Sequence, residues 1–183
     1  MDRQQRADVL VDDSGVDPRT PVDLLADERE MLLAFVRRHR ETLELKCAGL
    51  TPQQLAARAT PPSTVSLLGL VRHMARVEQG WFRQCLEGAE VARHYRWPGN
   101  WDGEWDDAVG TQECVDDAFA TWRSECRHSD LVVARHELTD TFSSGGDEVW
   151  SVRALLLHML EEYARHNGHA DVLREALDGR VGV

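Results

Sequence analysis

Residues 148–178 repeat apolar side chains at three- and four-residue steps over a length that no strand sustains. Leu155, Met159, Ala170, Leu173 and Leu177 mark one face, and Gly179 supplies a stop. A helix this long cannot cover its own apolar stripe, so it demands helical partners. The chain offers three. Asp23 is placed to cap a helix over 24–48, with Leu25, Leu32, Phe35, Val36 and Leu43 inward and Gly49 at its end. Ser63 or Ser66 caps a second over 64–87, whose core stripe is Leu67, Leu70, Val71, Met74, Val77 and Trp81. Thr111 caps a third over 112–130, with Val115, Ala118, Phe119 and Trp122 inward. Four long amphipathic helices predict an all-α chain folded as a four-helix bundle.

The connections are uneven. Thr51-Pro52 begins a short helical turn, and Pro61-Pro62 lies in a connector over 58–62. Residues 88–110 read as a long loop between the second and third helices. Its Tyr95, Trp97, Trp101 and Trp105 suggest a lid that packs back onto the body. The polar segment 136–147 fits a short hairpin or a plain loop. Residues 1–22 are polar and acidic and read as a flexible arm ahead of one domain over 23–183.

Bulk properties remove several functions. A net charge of −11 without a basic cluster makes nucleic acid and anionic membrane surfaces poor partners. No run of apolar residues is long enough to span a bilayer, and the first residues have no apolar core of a signal peptide. Cys47, Cys85, Cys114 and Cys126 are scattered, with no Cys-x-x-Cys pair. They read as free thiols buried in helices, which places the chain in a reducing cytoplasm.

Glu162 and His166 interrupt the last apolar stripe. An unpaired carboxylate among apolar side chains costs several kcal/mol or loses its charge. Spaced i and i+4, the two side chains point the same way. His73 sits at the border of the apolar arc of the second helix. The three together form a two-imidazole, one-carboxylate set suited to a divalent metal with open positions. Zinc and non-haem iron use such sets, and nickel and manganese are compatible with it. The alternative is a buried Glu–His ion pair joined to Tyr163 or Arg165. His39 reads as a core histidine or a fourth ligand. His158 and His169 are placed to support the ligands from behind, and His94, His128 and His136 to face solvent. Glu125-x-x-His128 stands alone where a di-iron bundle needs two such motifs, and His-Glu-x-x-His is absent.

Two segments carry a resemblance. Ser66-Leu67-Leu68-Gly69-Leu70-Val71-Arg72-His73-Met74 and Glu161-Glu162-Tyr163-Ala164-Arg165-His166-Asn167-Gly168-His169-Ala170-Asp171, with Asp27-Glu28-Arg29-Glu30, resemble the actinobacterial "mini-circle protein" group of the DinB/YfiT-like superfamily. The likeness spans roughly 24–179. It implies a bundle with a long crossover and a metal site at one end. Many members of that superfamily use three histidines, where this chain has Glu162 as the middle residue. His73, Glu162 and His166 are instead similar to the His-Glu-His zinc set of mycothiol-dependent maleylpyruvate isomerase. The resemblance implies zinc as the metal and a low-molecular-weight thiol such as mycothiol as co-substrate, transferred to a small electrophile. A hydrolase or isomerase working through water on the metal, and a non-enzymatic bundle acting as a homodimer, are the competing readings.

Overall fold

A computed structural model describes residues 16–182. Helix α1 spans Glu28–Cys47, the short α2 Pro52–Ala56, and α3 Leu67–Glu78, which runs on as a π-helical segment over Gln79–Leu86. A four-residue α4, Gly103–Asp106, precedes α5, Gln112–Val133. Strands β1 (Thr141–Ser143) and β2 (Val149–Ser151) then lead into α6, Val152–Asp178. The four long helices are those expected, and α1 packs along α6 while α3 packs along α5.

The caps explain the boundaries. Ser66, Thr111 and Ser151 each accept a hydrogen bond from the backbone N–H three residues on, at the starts of α3, α5 and α6. Thr51 and Gln54 complete a reciprocal capping box at α2. Gly179 ends α6 in the left-handed conformation, φ 77°. One boundary differs from expectation. Asp27, not Asp23, caps α1 by accepting from Glu30 N–H, so Leu25 lies before the helix and is 95% exposed rather than in the core. Residues 149–151 pair with 141–143 instead of extending α6, which resolves the 136–147 segment as an antiparallel hairpin. Of the N-terminal arm, residues 1–15 lie outside the described residues. Residues 16–22 run along α1, where Arg19 donates to Thr42 Oγ1 (2.9 Å) and Thr20 N–H to Glu41 (2.8 Å).

Leu43, Leu67, Leu70, Met74, Trp122, Leu155, Met159 and Leu173 fill the centre of the bundle. Their burial supplies the main stabilisation, at roughly 25 cal/mol for each Å² of apolar surface removed from water. Within this apolar filling lies a polar knot. Glu78, with no exposed surface, accepts a bidentate pair from Arg40 (2.8 and 2.9 Å), one bond from Ser129 (2.7 Å) and one from Tyr163 (2.6 Å). Trp122 Nε1–H in turn donates to the Tyr163 hydroxyl (3.0 Å). Burial pushes the Tyr163 hydroxyl well above the usual phenol range, so it remains a donor. One carboxylate thereby ties α1, α3, α5 and α6 together. Tyr163 and Asn167, not Glu162 and His166, occupy the centre of the core-facing stripe of α6. Glu162 lies on its shoulder, 25% exposed.

Candidate metal centre

His73 from α3 meets Glu162 and His166 from the middle of α6. One ligating atom from each lies within 4.8 Å of the others. His166 Nε2 stands 3.3 Å from Glu162 Oε2, the edge length expected of a tetrahedral site with bonds of about 2.0–2.2 Å. The rings of His73 and His166 meet edge to face at 4.6 Å. Hydrogen bonding to His166 holds the Glu162 carboxyl below the usual range, against the effect of burial, so it presents a carboxylate. Burial pushes the His73 imidazole down despite the nearby Glu104, so it presents a neutral ring. Neutral imidazole and ionised carboxylate are the protonation states a divalent metal requires of its ligands.

What holds His73 has no signature in the residue pattern. Glu104, on α4 and without exposed surface, lies 3.5 Å from His73 Nδ1 and binds Arg96 (2.8 Å) and Arg76 (3.1 Å). Burial alone would raise this carboxyl, but hydrogen bonds from His73 and Arg96 and the charge of Arg76 hold it at about 2. Arg76 Nη2 also stands 3.3 Å from His73 Nδ1, which, protonated and donating to Glu104, has no lone pair to accept from it. With Nδ1 committed on this side, Nε2 is the nitrogen left for the shared point. Trp105, also on α4, stacks on the His73 ring at 5.0 Å. The 88–110 segment therefore contributes a helix, a buried carboxylate and one packed tryptophan. Trp97 and Trp101, expected to pack back, are 49% and 57% exposed.

Gly69 is what lets Trp105 sit there. A β-carbon on Gly69 would lie 2.8 Å from Trp105 Cε3. Gly69→Ala is therefore expected to cost about 1–2 kcal/mol, the overpacking penalty less the gain in helix propensity. Urea denaturation measures it, and an unchanged midpoint would show that Trp105 moves aside freely.

A cleft of about 340 Å³ opens beside His73 and Glu162, with Arg76, Trp81, Cys85, Arg93 and His158 among its other lining residues. The π-helical segment presents Trp81, Gln84 and Cys85 to it, and such irregular turns recur at functional sites. His158 Nε2 lies 3.6 Å from Glu162 Oε1, and its ring packs on Trp81 at 4.6 Å. His169 Nδ1 is 3.4 Å from His166 Nδ1. His39 stands apart from the triad and pairs with Asn167 (3.3 Å). His94, His128 and His136 are not free surface groups as expected. They pair with Glu125, Glu87 and Asp140 and are each only partly exposed.

A sequence profile of the Mycothiol-S-transferase family matches residues 31–179, an interval that contains α1 from Met31 onwards, the other three long helices and the whole triad. The chain belongs to the mycothiol-S-transferase family. That places it among DinB/YfiT-like proteins, as the two quoted segments implied. The fold also matches the crystal structure of a conserved protein from Enterococcus faecalis, with a TM-score of 0.62 over 85% of this chain and 99% of that one. At 14% identity this likeness concerns the fold alone. No curated protein matches the sequence. Among the described residues, no helix is long and apolar enough to cross a membrane.

Proposed function

We propose that this member of the mycothiol-S-transferase family is a metal-dependent enzyme that joins a low-molecular-weight thiol of the mycothiol type to a small electrophile in the cytoplasm. One observation carries the reading: His73, Glu162 and His166 converge to within 4.8 Å, with His73 and Glu162 lining a cleft, inside the interval matched by the family profile. Their donor set fits a divalent metal, zinc first, because two neutral nitrogens and one carboxylate leave a net positive charge and an open position. A metal held there supplies the positive charge that lowers the pKa of a thiol sulfur brought beside it.

The protein's own side chains do the rest. Glu104 and Trp105 hold the His73 ring in one orientation, so its Nε2 needs no reorganisation when the site is filled. Trp81, Val77 and Trp105 give the site apolar walls that exclude water from one side. The thiol proton leaves towards solvent through the open mouth. The sulfur pair forms a bond to the electrophilic carbon, which releases its leaving group.

The test begins with metal analysis of untagged protein, followed by conjugation of an electrophile with and without mycothiol. Bound metal near one equivalent and turnover that depends on the thiol are expected. Metal-dependent turnover indifferent to mycothiol would instead favour a reaction with water, and protein that takes up no metal would remove both enzymatic readings.

A further inference from the structure

The cleft does not end at Cys85. A second cavity of about 590 Å³ shares Gln84, Cys85 and Arg93 with it and continues to Ser143–Gly145 of the β1–β2 hairpin. Arg93 stands where the two meet. Its main chain is held on both sides: the side chain of Gln79, which is 4% exposed, donates to Ala92 C=O (3.0 Å) and accepts from His94 N–H (3.0 Å). Gln84 donates to Val91 C=O (3.0 Å), and His94 is anchored through its ring to Glu125 (3.0 Å). Two glutamines of the π-helical segment thus fix the peptide groups around Arg93. Yet among the described residues no hydrogen bond or ion pair reaches its guanidinium. Arg76, the other arginine of the inner cleft, is already engaged by Glu104, a carboxylate it shares with Arg96. Glu90 lines only the outer cavity.

We infer that Arg93 is the counter-ion for a carboxylate on the electrophilic co-substrate. The inference rests on the proposed thiol transfer. Arg93 is exposed, and with its backbone already held only its own side-chain rotamers remain to be ordered when a bidentate carboxylate binds its unpaired head. Mycothiol-type thiols present hydroxyls and amides rather than a carboxylate, so the anion belongs to the other partner. The inner cleft receives the electrophilic carbon beside the triad, with the carboxylate directed to Arg93 at the boundary and the flat body of the molecule against Trp81.

The test uses a matched pair, 4-chloro-3,5-dinitrobenzoate and 2-chloro-1,3-dinitrobenzene, with mycothiol. In each, the thiolate sulfur bonds to the ring carbon, chloride leaves with its electron pair, and the thiol proton passes to solvent. Relative to the uncatalysed rates, wild type is expected to favour the benzoate about tenfold or more in kcat/KM. Arg93→Gln should bring that preference close to one, mainly through KM, and Arg93→Lys should retain part of it. A preference unchanged in Arg93→Gln, or equal losses on both compounds, would overturn the assignment. Absence of thiol-dependent turnover in wild type would sink the proposed function instead. Calorimetry with unreactive 3,5-dinitrobenzoate and 1,3-dinitrobenzene then decides: tighter binding of the acid, lost in Arg93→Gln, keeps the anion site, and equal binding of the two removes it.

Discussion

Glu162→Gln is expected to lower divalent-metal affinity by about a hundredfold or more while leaving the helical content intact. Loss even of a group that merely supports a ligand costs roughly 10- to 100-fold, and Glu162 would supply the only negative charge of the triad. The amide occupies the same volume, so packing on the shoulder of α6 is preserved. Glu162 is 25% exposed and takes no part in the knot around Glu78, so little stability depends on it. Thiol-dependent turnover should fall with metal occupancy and recover in part at high metal concentration. Competition against a chromogenic chelator measures the affinity, with circular dichroism as the control for folding. Unchanged affinity would move the metal elsewhere. His158, 3.6 Å from the Glu162 carboxylate, is then the first alternative, so His158→Ala belongs in the same series. With the triad as ligands, that variant should change affinity by less than Glu162→Gln does.

Helical spacing puts Glu162 and His166 on one side of α6 and His73 at the edge of its own helix, and the resemblance then singled His73 out over His39 and His158 as their partner. What surrounds the triad was not legible. Glu104 lies in a stretch of Gly, Trp and Asp residues that has no apolar period, so the four-residue α4 and its buried carboxylate left no trace in the pattern. The stack of Trp105 on His73 depends on a gap at Gly69, and a lone glycine in a helix gives no sign of what it makes room for. Asp23 and Asp27 are equally good caps by residue type, and the choice fell on the one whose carboxylate reaches Glu30 N–H. The placement of Glu162 needed tertiary information. A stripe drawn at three- and four-residue steps includes both Glu162 and its neighbour Tyr163 within half a turn. Which of them faces inward is decided by Glu78 and Trp122 on other helices.

Those same contacts give the second large effect. Glu78→Gln is expected to destabilise the fold by about 3 kcal/mol or more, because it leaves Arg40 charged and nearly buried with only the exposed Asp130 as a full partner. The volume is unchanged, so the loss would not come from a cavity. Two donors, Tyr163 and Ser129, would compete for one amide oxygen that has lost its charge. Adding Arg40→Met to Glu78→Gln should recover part of the loss, since the stranded cation disappears with it. A cycle of the two single variants and the double variant, followed by urea denaturation, isolates that coupling. A loss below about 1 kcal/mol in Glu78→Gln would show that water or main-chain movement relieves Arg40. The effect should reach the metal centre as well. Glu78 closes the helix that carries His73, and Tyr163 follows Glu162 directly, so one buried carboxylate sets how α3 and α6 face each other at the triad. Metal affinity in Glu78→Gln should therefore fall, though by less than in Glu162→Gln, because the ligands remain and only their alignment loosens.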